Sequence, residues 1–104
     1  DKFLVKKIIT NLLKNALYQR KKYNRGIIKI DTAGNKLTVY DDIIGIEDQV
    51  IPSLFNNFTT GGKNGSGLGL SFCKHAMEKM NGDIRCESKI SKYTKFTLNF
   101  PSNE

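Results

Sequence analysis

Apolar residues open the chain in pairs: Leu4/Val5, Ile8/Ile9, Leu12/Leu13 and Ala16/Leu17. Pairs that recur every four residues build one stripe along a helix, and lysines fill the opposite positions, so residues 2 to about 22 are predicted helical. Asp1 suits the N-cap of that helix. Arg25-Gly26 breaks the pattern, and the period then changes to two. Residues 27–32 and 36–41 read as the strands of a hairpin with Ala33-Gly34-Asn35 as its turn. Alternation puts Leu37, Val39 and Asp41 on one face of the second strand. Residues 43–64 lose periodicity, with a turn at Gly45 and a short helix expected between Glu47 and Leu54 around Pro52. Thr59 to Gly65 contains no apolar residue and reads as a mobile surface loop of the kind that closes over ligands. Helical spacing returns with Leu70, Cys73, Ala76/Met77 and Met80, which predicts a helix from about Ser66 to Met80 stopped by Asn81-Gly82. Ile84/Cys86 and Phe96/Leu98/Phe100 mark two closing strands around a turn near Lys89–Lys92, and Pro101 ends the second. Helix, two strands, loop, helix, two strands predicts an α+β fold, a two-layer α/β sandwich with helices on one face of a mixed, mostly antiparallel sheet.

A chain of 104 residues with 38% apolar and 26% charged positions makes one globular domain. It has no apolar run long enough to span a bilayer and no stretch that reads as a signal peptide, so no direct membrane insertion is expected. The formal charge of +7 is uneven: nine basic residues lie from Lys2 to Lys29, and Asp1 is the only acid in the first 29 residues. Such a face suits nucleic acid, an anionic membrane surface, or a bound nucleotide. Aromatic residues interleave poorly with the charges, which counts against a nucleic-acid partner. Cys73 and Cys86 fit no metal-ligand spacing, sit at apolar-periodic positions and read as reduced core thiols. The lone His75 has no carboxylate or cysteine at a recognisable spacing and reads as a helix-surface or half-buried residue.

The chemistry concentrates elsewhere. In Gly65-Ser66-Gly67-Leu68-Gly69-Leu70, three glycines on alternate positions open a helix. Free N–H groups and the helix dipole make that a ready anion site, read here as a phosphate cradle. It is not a Walker loop, because no Gly-Lys-Ser/Thr closes it, and no parallel strand leads into it as a dinucleotide fold requires. Asn11 and Asn15 stand four apart beside the apolar stripe, so their carboxamides share one side of the helix. One amide oxygen there can hold a hard cation. Asp41 points a carboxylate to the packed side of its strand, where it needs a partner.

Taken together, these stretches resemble the catalytic and ATP-binding domain of histidine kinases, members of the ATPase superfamily shared with gyrase, heat-shock chaperones and mismatch-repair proteins. Asn11-Leu12-Leu13-Lys14-Asn15-Ala16 resembles the N box, and Val39-Tyr40-Asp41-Asp42-Ile43-Ile44-Gly45-Ile46 the first glycine box. Leu54-Phe55-Asn56-Asn57-Phe58-Thr59-Thr60 resembles the F box, and Gly65-Ser66-Gly67-Leu68-Gly69-Leu70 the second glycine box. The closing strands match through Gly82–Ser88, Thr94-Lys95-Phe96 and Phe100-Pro101.

The resemblance implies that the domain binds Mg-ATP and donates the γ-phosphoryl group to a histidine on a separate helical dimerisation and phosphoacceptor domain. A response-regulator receiver domain would be the further partner. It implies Asn15 as the Mg²⁺ ligand, and Asn11 where hydrolysing relatives carry a glutamate base. It implies Asp41 as acceptor for the adenine amino group with Thr94 on the same edge, and Gly45 and Ile46 lining the adenine slot. Residues 56–64 would be the ATP lid, with Thr59 and Thr60 near the nucleotide, while Gly65, Ser66, Gly67, Leu68 and Gly69 would face the phosphates. It places the domain in the cytoplasm, whether or not a parent kinase is anchored in the membrane. The strands that usually precede the N-box helix are missing, so an N-terminally trimmed domain is expected.

Two departures stand out. Asp42 and Ile43 replace the Asn and first Gly of the first glycine box, and a β-branched residue disfavours the positive φ a glycine takes there. Tyr18 stands where many relatives have a phosphate-facing lysine, with Lys14, Arg20 or Lys63 as candidates to compensate. Ile43 motivates a competing reading, a degenerate scaffold with little ATP binding. Charge alone motivates a third, a nucleic-acid module.

Overall fold

The computed structural model describes the backbone of residues 2–56 and 66–101, and the side chains of all these but 66–68. The expected cap at Asp1, positions 57–64 of the expected 56–64 lid, and Gly65 lie outside the described residues. Helix α1 (Lys2–Tyr23) is followed by β1 (Ile28–Ala33) and β2 (Lys36–Asp41), then a single 3₁₀ turn (Ile51–Ser53). Helix α2 (Ser66–Lys79), β3 (Asp83–Lys89) and β4 (Tyr93–Asn99) complete the chain. The short helix expected around Pro52 is thus only that one 3₁₀ turn, with proline at its start where the missing N–H costs nothing.

The four strands pair in the order β1-β2-β4-β3, and every pair is antiparallel. β4 therefore lies inside the sheet, between two strands that are far from each other in sequence. Alternation does what the pattern predicted: along β4 every second residue, Thr94, Phe96 and Leu98, is buried. The β1–β2 turn needs only Gly34-Asn35, with Gly34 at φ +62°, one residue shorter than the sequence suggested. Both helices cover one face. Ile8 and Leu12 of α1 and Leu70, Cys73, Ala76 and Met77 of α2 pack on Val39, Ile84, Phe96 and Leu98 of the sheet, with Leu54 closing one side. The Phe55 ring meets Phe96 edge-on at 6.2 Å between centroids.

The end of α2 is fixed locally. Asn81 takes the left-handed conformation at φ +63°, its N–H bonds to Glu78 O at 3.0 Å, and the Gly82 N–H bonds to Met77 O at 2.8 Å. These are the two bonds of a Schellman cap, so Asn81-Gly82 stops the helix as expected. Gly82 has a second task. A β-carbon there would run into the carbonyl oxygen of Asn99 and come within 3.0 Å of Met77 Cε. Glycine lets the start of β3 lie against the end of β4 beside the core.

Burial pushes both thiols up to about 12, and Cys73 is fully enclosed with its Sγ 3.7 Å from Ile8 O. Neither is a reactive thiolate near neutral pH. Gly82→Ala is expected to cost about 1–3 kcal/mol, the usual cost of overpacking a close contact. Urea titration of the two proteins measures it, and an unchanged midpoint would show that the approach of β3 to Asn99 is loose.

Candidate functional site

Between α1, β2, β4 and the segment after β2 lies a cavity of about 470 Å³. Its apolar wall is the edge of the core itself: Leu12, Ala16, Val39, Leu54, Leu70 and Phe96. Asn15, Gln19, Asp41 and Thr94 place polar atoms around this wall, and Lys14, Tyr18 and Lys22 line the α1 side. A mostly apolar slot with a few fixed polar groups and a cationic margin suits a flat base carrying anionic groups.

Asp41 ends β2 on the same face as Leu37 and Val39, and its register partner across the sheet is Thr94 of β4. Desolvation by burial holds the Asp41 carboxyl above its ordinary range. A bond from the Ile43 N–H to Oδ1 at 3.1 Å pulls the other way, and the charge of Asp42 adds to the rise. Thr94 is 4% exposed, and its Oγ1 lies 3.0 Å from Ser88 Oγ. Counting protons fixes the direction of that bond. The single Ser88 proton goes to Tyr93 O at 2.6 Å, because a carbonyl can only accept, while the Ile46 N–H donates to Ser88 Oγ at 2.7 Å. Thr94 is then the donor to Ser88, which leaves its lone pairs for the cavity. Two acceptors, Asp41 and Thr94, stand side by side and call for a donor such as an amino group.

The segment from Asp42 to Ile46 has no strand partner, yet its backbone is pinned on several sides. Arg25 Nη2 donates to Ile43 O at 2.6 Å, and the Ser91 N–H donates to Ile44 O at 2.6 Å. Asp42 exchanges two bonds with Ile27: its N–H reaches Ile27 O at 3.3 Å, and its Oδ1 accepts from the Ile27 N–H at 2.7 Å. Gly45 takes φ +75°, and any β-carbon there would strike the carbonyl of Lys89. The difficulty foreseen at Ile43 does not arise in the expected form. Ile43 is absent from the positive-φ positions, and its side chain is fully buried.

Asn15, Asp41, Gly45, Ile46 and Thr94 thus converge on one cavity from three separate stretches of sequence. Asn11 does not line it. Its half-buried carboxamide lies against the first turn of α2, where a β-carbon at Gly69 would be 3.4 Å from Asn11 Oδ1. Ser66, Gly67 and Leu68 belong to that first turn, whereas Thr59, Thr60 and Gly65 lie outside the described residues. Of the candidates to replace the lysine at position 18, Lys14 lines the cavity. Arg20 instead donates through Nε to Gly26 O at 3.1 Å, and Lys63 falls outside the described residues.

Two cavity residues escaped the sequence reading. Gln19 continues the four-residue spacing of Asn11 and Asn15, and its Oε1 is buried with no hydrogen-bond partner among the described residues. Lys22 continues Lys14 and Tyr18 in the same way, its ammonium 6.0 Å from the centroid of the Tyr18 ring. Extending the helical spacing by one turn would have found both.

Comparison with known proteins agrees with this fold. The CAI-1 autoinducer sensor kinase/phosphatase CqsS of Vibrio cholerae is 43% identical over 94 residues, which cover 88% of this chain and 14% of that protein. The sensor protein EvgS of Escherichia coli is 35% identical over 109 aligned positions, covering 92% of this chain and 9% of that protein. The chain therefore spans only a small part of these relatives. Among solved structures, the nucleotide-free catalytic domain of the histidine kinase ThkA superposes with a TM-score of 0.76 at 26% identity, covering 98% of this chain and 68% of that one. The family described as histidine kinase-, DNA gyrase B-, and HSP90-like ATPase matches residues 1–104. Over that whole length, the chain belongs to this ATPase family.

Proposed function

We propose that this domain is the ATP-binding catalytic part of a longer sensor histidine kinase, holding Mg-ATP for transfer of its γ-phosphoryl group to a histidine on a separate phosphoacceptor domain. A response-regulator receiver is then the next acceptor, and the site works on the cytoplasmic side, where ATP is available. One observation carries the reading: the acceptor pair Asp41 and Thr94 and the carboxamide of Asn15 share one cavity with an apolar wall. The names of the relatives, sensor kinases, point the same way.

In this reading adenine enters the apolar slot and offers its amino group to Asp41 and Thr94. Guanine presents a carbonyl oxygen at that position, so acceptor would meet acceptor. Gly45 and Ile46 wall the slot, and the first turn of α2, from Ser66 to Gly69, offers N–H groups to the phosphates. Lys14 and Lys22 supply positive charge along α1 in place of the lysine that Tyr18 replaces. The donor set fits Mg²⁺: no cluster of three His, Cys, Asp or Glu is found among the described residues, and a single amide oxygen from Asn15 suits a metal held mainly by phosphates and water. When bound, that ion neutralises charge on the phosphates during transfer. Asn11 cannot take a proton from water as a carboxylate would, and α1 carries no Asp or Glu from Lys2 to Tyr23. The site accordingly holds ATP without a base on this helix to hydrolyse it.

Asp41→Asn should separate this site from a merely structural carboxylate by moving two measurements in opposite directions. Loss of a bond to a charged acceptor weakens Mg-ATP binding by roughly ten- to a hundredfold and narrows the preference over GTP, read by calorimetry. The apo protein should melt higher at pH 7. The folded-state carboxyl titrates above its ordinary value, so the stabilisation linked to it is complete below the unfolded value of about 3.9 and is lost as pH rises through the folded one. The gain from asparagine should therefore fade on acidification. Unchanged ATP affinity in a folded variant would remove the central residue of the site.

The isolated domain should bind Mg-ATP yet leave itself unphosphorylated. Its one histidine, His75, is exposed within α2, beyond the turn whose amides face the phosphates. Acid-labile label at His75 after incubation with labelled ATP would contradict an external acceptor.

A further inference from the structure

Ile43 stands where the resembling box carries a glycine, and the structure gives it a specific seat. Its side chain is 0% exposed. The seat exists because residue 26 is glycine: at φ +107°, a β-carbon on Gly26 would collide with Ile43 Cγ1 and lie 3.3 Å from Asp42 Oδ1. Only glycine adopts that conformation readily. The neighbouring Arg25 reaches back to the Ile43 carbonyl at 2.6 Å, and Arg20 holds the Gly26 carbonyl at 3.1 Å. On its other side, the Ile43 N–H bonds to Asp41 Oδ1 at 3.1 Å. Residues 25–27 and 42–43 therefore lock as a pair, and the lock ends on the carboxylate that faces the cavity.

Assuming the nucleotide reading above, we propose that Ile43 is a positioning residue for Asp41. Seated against Gly26 and held by Arg25, it fixes one carboxylate oxygen and leaves the other for the adenine amino group. A glycine at this position sets the turn through its own backbone freedom. Here that freedom has moved to Gly26, and a buried side chain sets the turn instead. Ile43 marks a rebuilt site, not a degenerate one. It follows that restoring glycine at position 43 harms this protein, because the seat opposite Gly26 is then empty and Asp41 loses its fixed neighbour.

The test titrates Mg-ATP and Mg-GTP into the wild type, Ile43→Gly, Ile43→Val and Arg25→Gln, with a melting curve for each. Ile43→Gly should lose about tenfold or more in ATP affinity and narrow the ATP-to-GTP ratio, while Ile43→Val, which keeps the wedge, retains both. Arg25→Gln removes the carbonyl anchor from an exposed position and empties no core volume, so it carries the test even where Ile43→Gly does not fold. It should move affinity and ratio in the same direction, with a melting temperature lowered by the unpaired Ile43 carbonyl but a cooperative transition kept. A wild type that binds ATP, beside folded Ile43→Gly and Arg25→Gln variants that keep its affinity and its ratio, would overturn the positioning role and leave the nucleotide site standing. A wild type that binds no ATP would instead overturn the nucleotide reading and this inference with it.

Discussion

The arrangement depends on finding partners for the backbone polar groups of five residues, Asp42 to Ile46. This segment borders an apolar cavity and pairs with no strand. A buried N–H or C=O left alone costs about 1–3 kcal/mol, so a loop in that place survives only if its groups are met. Five of these groups have named partners: the Asp42 N–H on Ile27 O, the Ile43 N–H on Asp41 Oδ1, the Ile43 C=O on Arg25, the Ile44 C=O on the Ser91 N–H, and the Ile46 N–H on Ser88 Oγ. Each partner is itself fixed by the fold. Cavity shape, acceptor direction and loop path are consequences of one requirement.

That requirement couples the site to the core. Leu12, Val39, Leu54, Leu70 and Phe96 are core residues and also cavity wall. The slot is the part of the core that the helices leave uncovered, so filling it with a flat apolar group extends the packing already present. The same economy appears in Ser88. One hydroxyl accepts from Ile46, donates to Tyr93 and accepts from Thr94, joining the loop, the turn and the acceptor pair.

Local structure was largely legible in the sequence. Four-residue pairing gave α1, period two gave the strands, and Asn81-Gly82 gave the end of α2, because these depend on neighbours in the chain. The inward face of Asp41 followed from the same alternation. What local patterns do not contain is which hairpin edges join. That β4 pairs with β2, setting Thr94 opposite Asp41, is a long-range register, and periodicity says nothing about it. The family resemblance, not the alternation, had put those two residues on one edge. Ile43 was legible only as an anomaly. Its explanation sits at Gly26, whose glycine looked like an ordinary helix breaker. Gln19 and Lys22 lie beyond the matched box, where helical periodicity marks a face but no motif marks a function.

The position of β4 carries a consequence for how the molecule is made. β1 and β2 can form a hairpin as soon as they exist, and so can β3 and β4, since each pair is joined by a tight turn. The join between β2 and β4 brings Lys36–Asp41 to Tyr93–Asn99, with α2 and β3 in between, and so closes a long loop before any reward arrives. Ser88 and Ser91, which anchor the 42–46 segment, arrive with the same late hairpin. During synthesis α1 and the first hairpin emerge before β4, but Asp41 lacks Thr94, and the 42–46 segment lacks its Ser88 and Ser91 anchors, until β4 docks. A chain that stops short of β4 therefore lacks the pocket, and the cavity becomes a signature of completed folding.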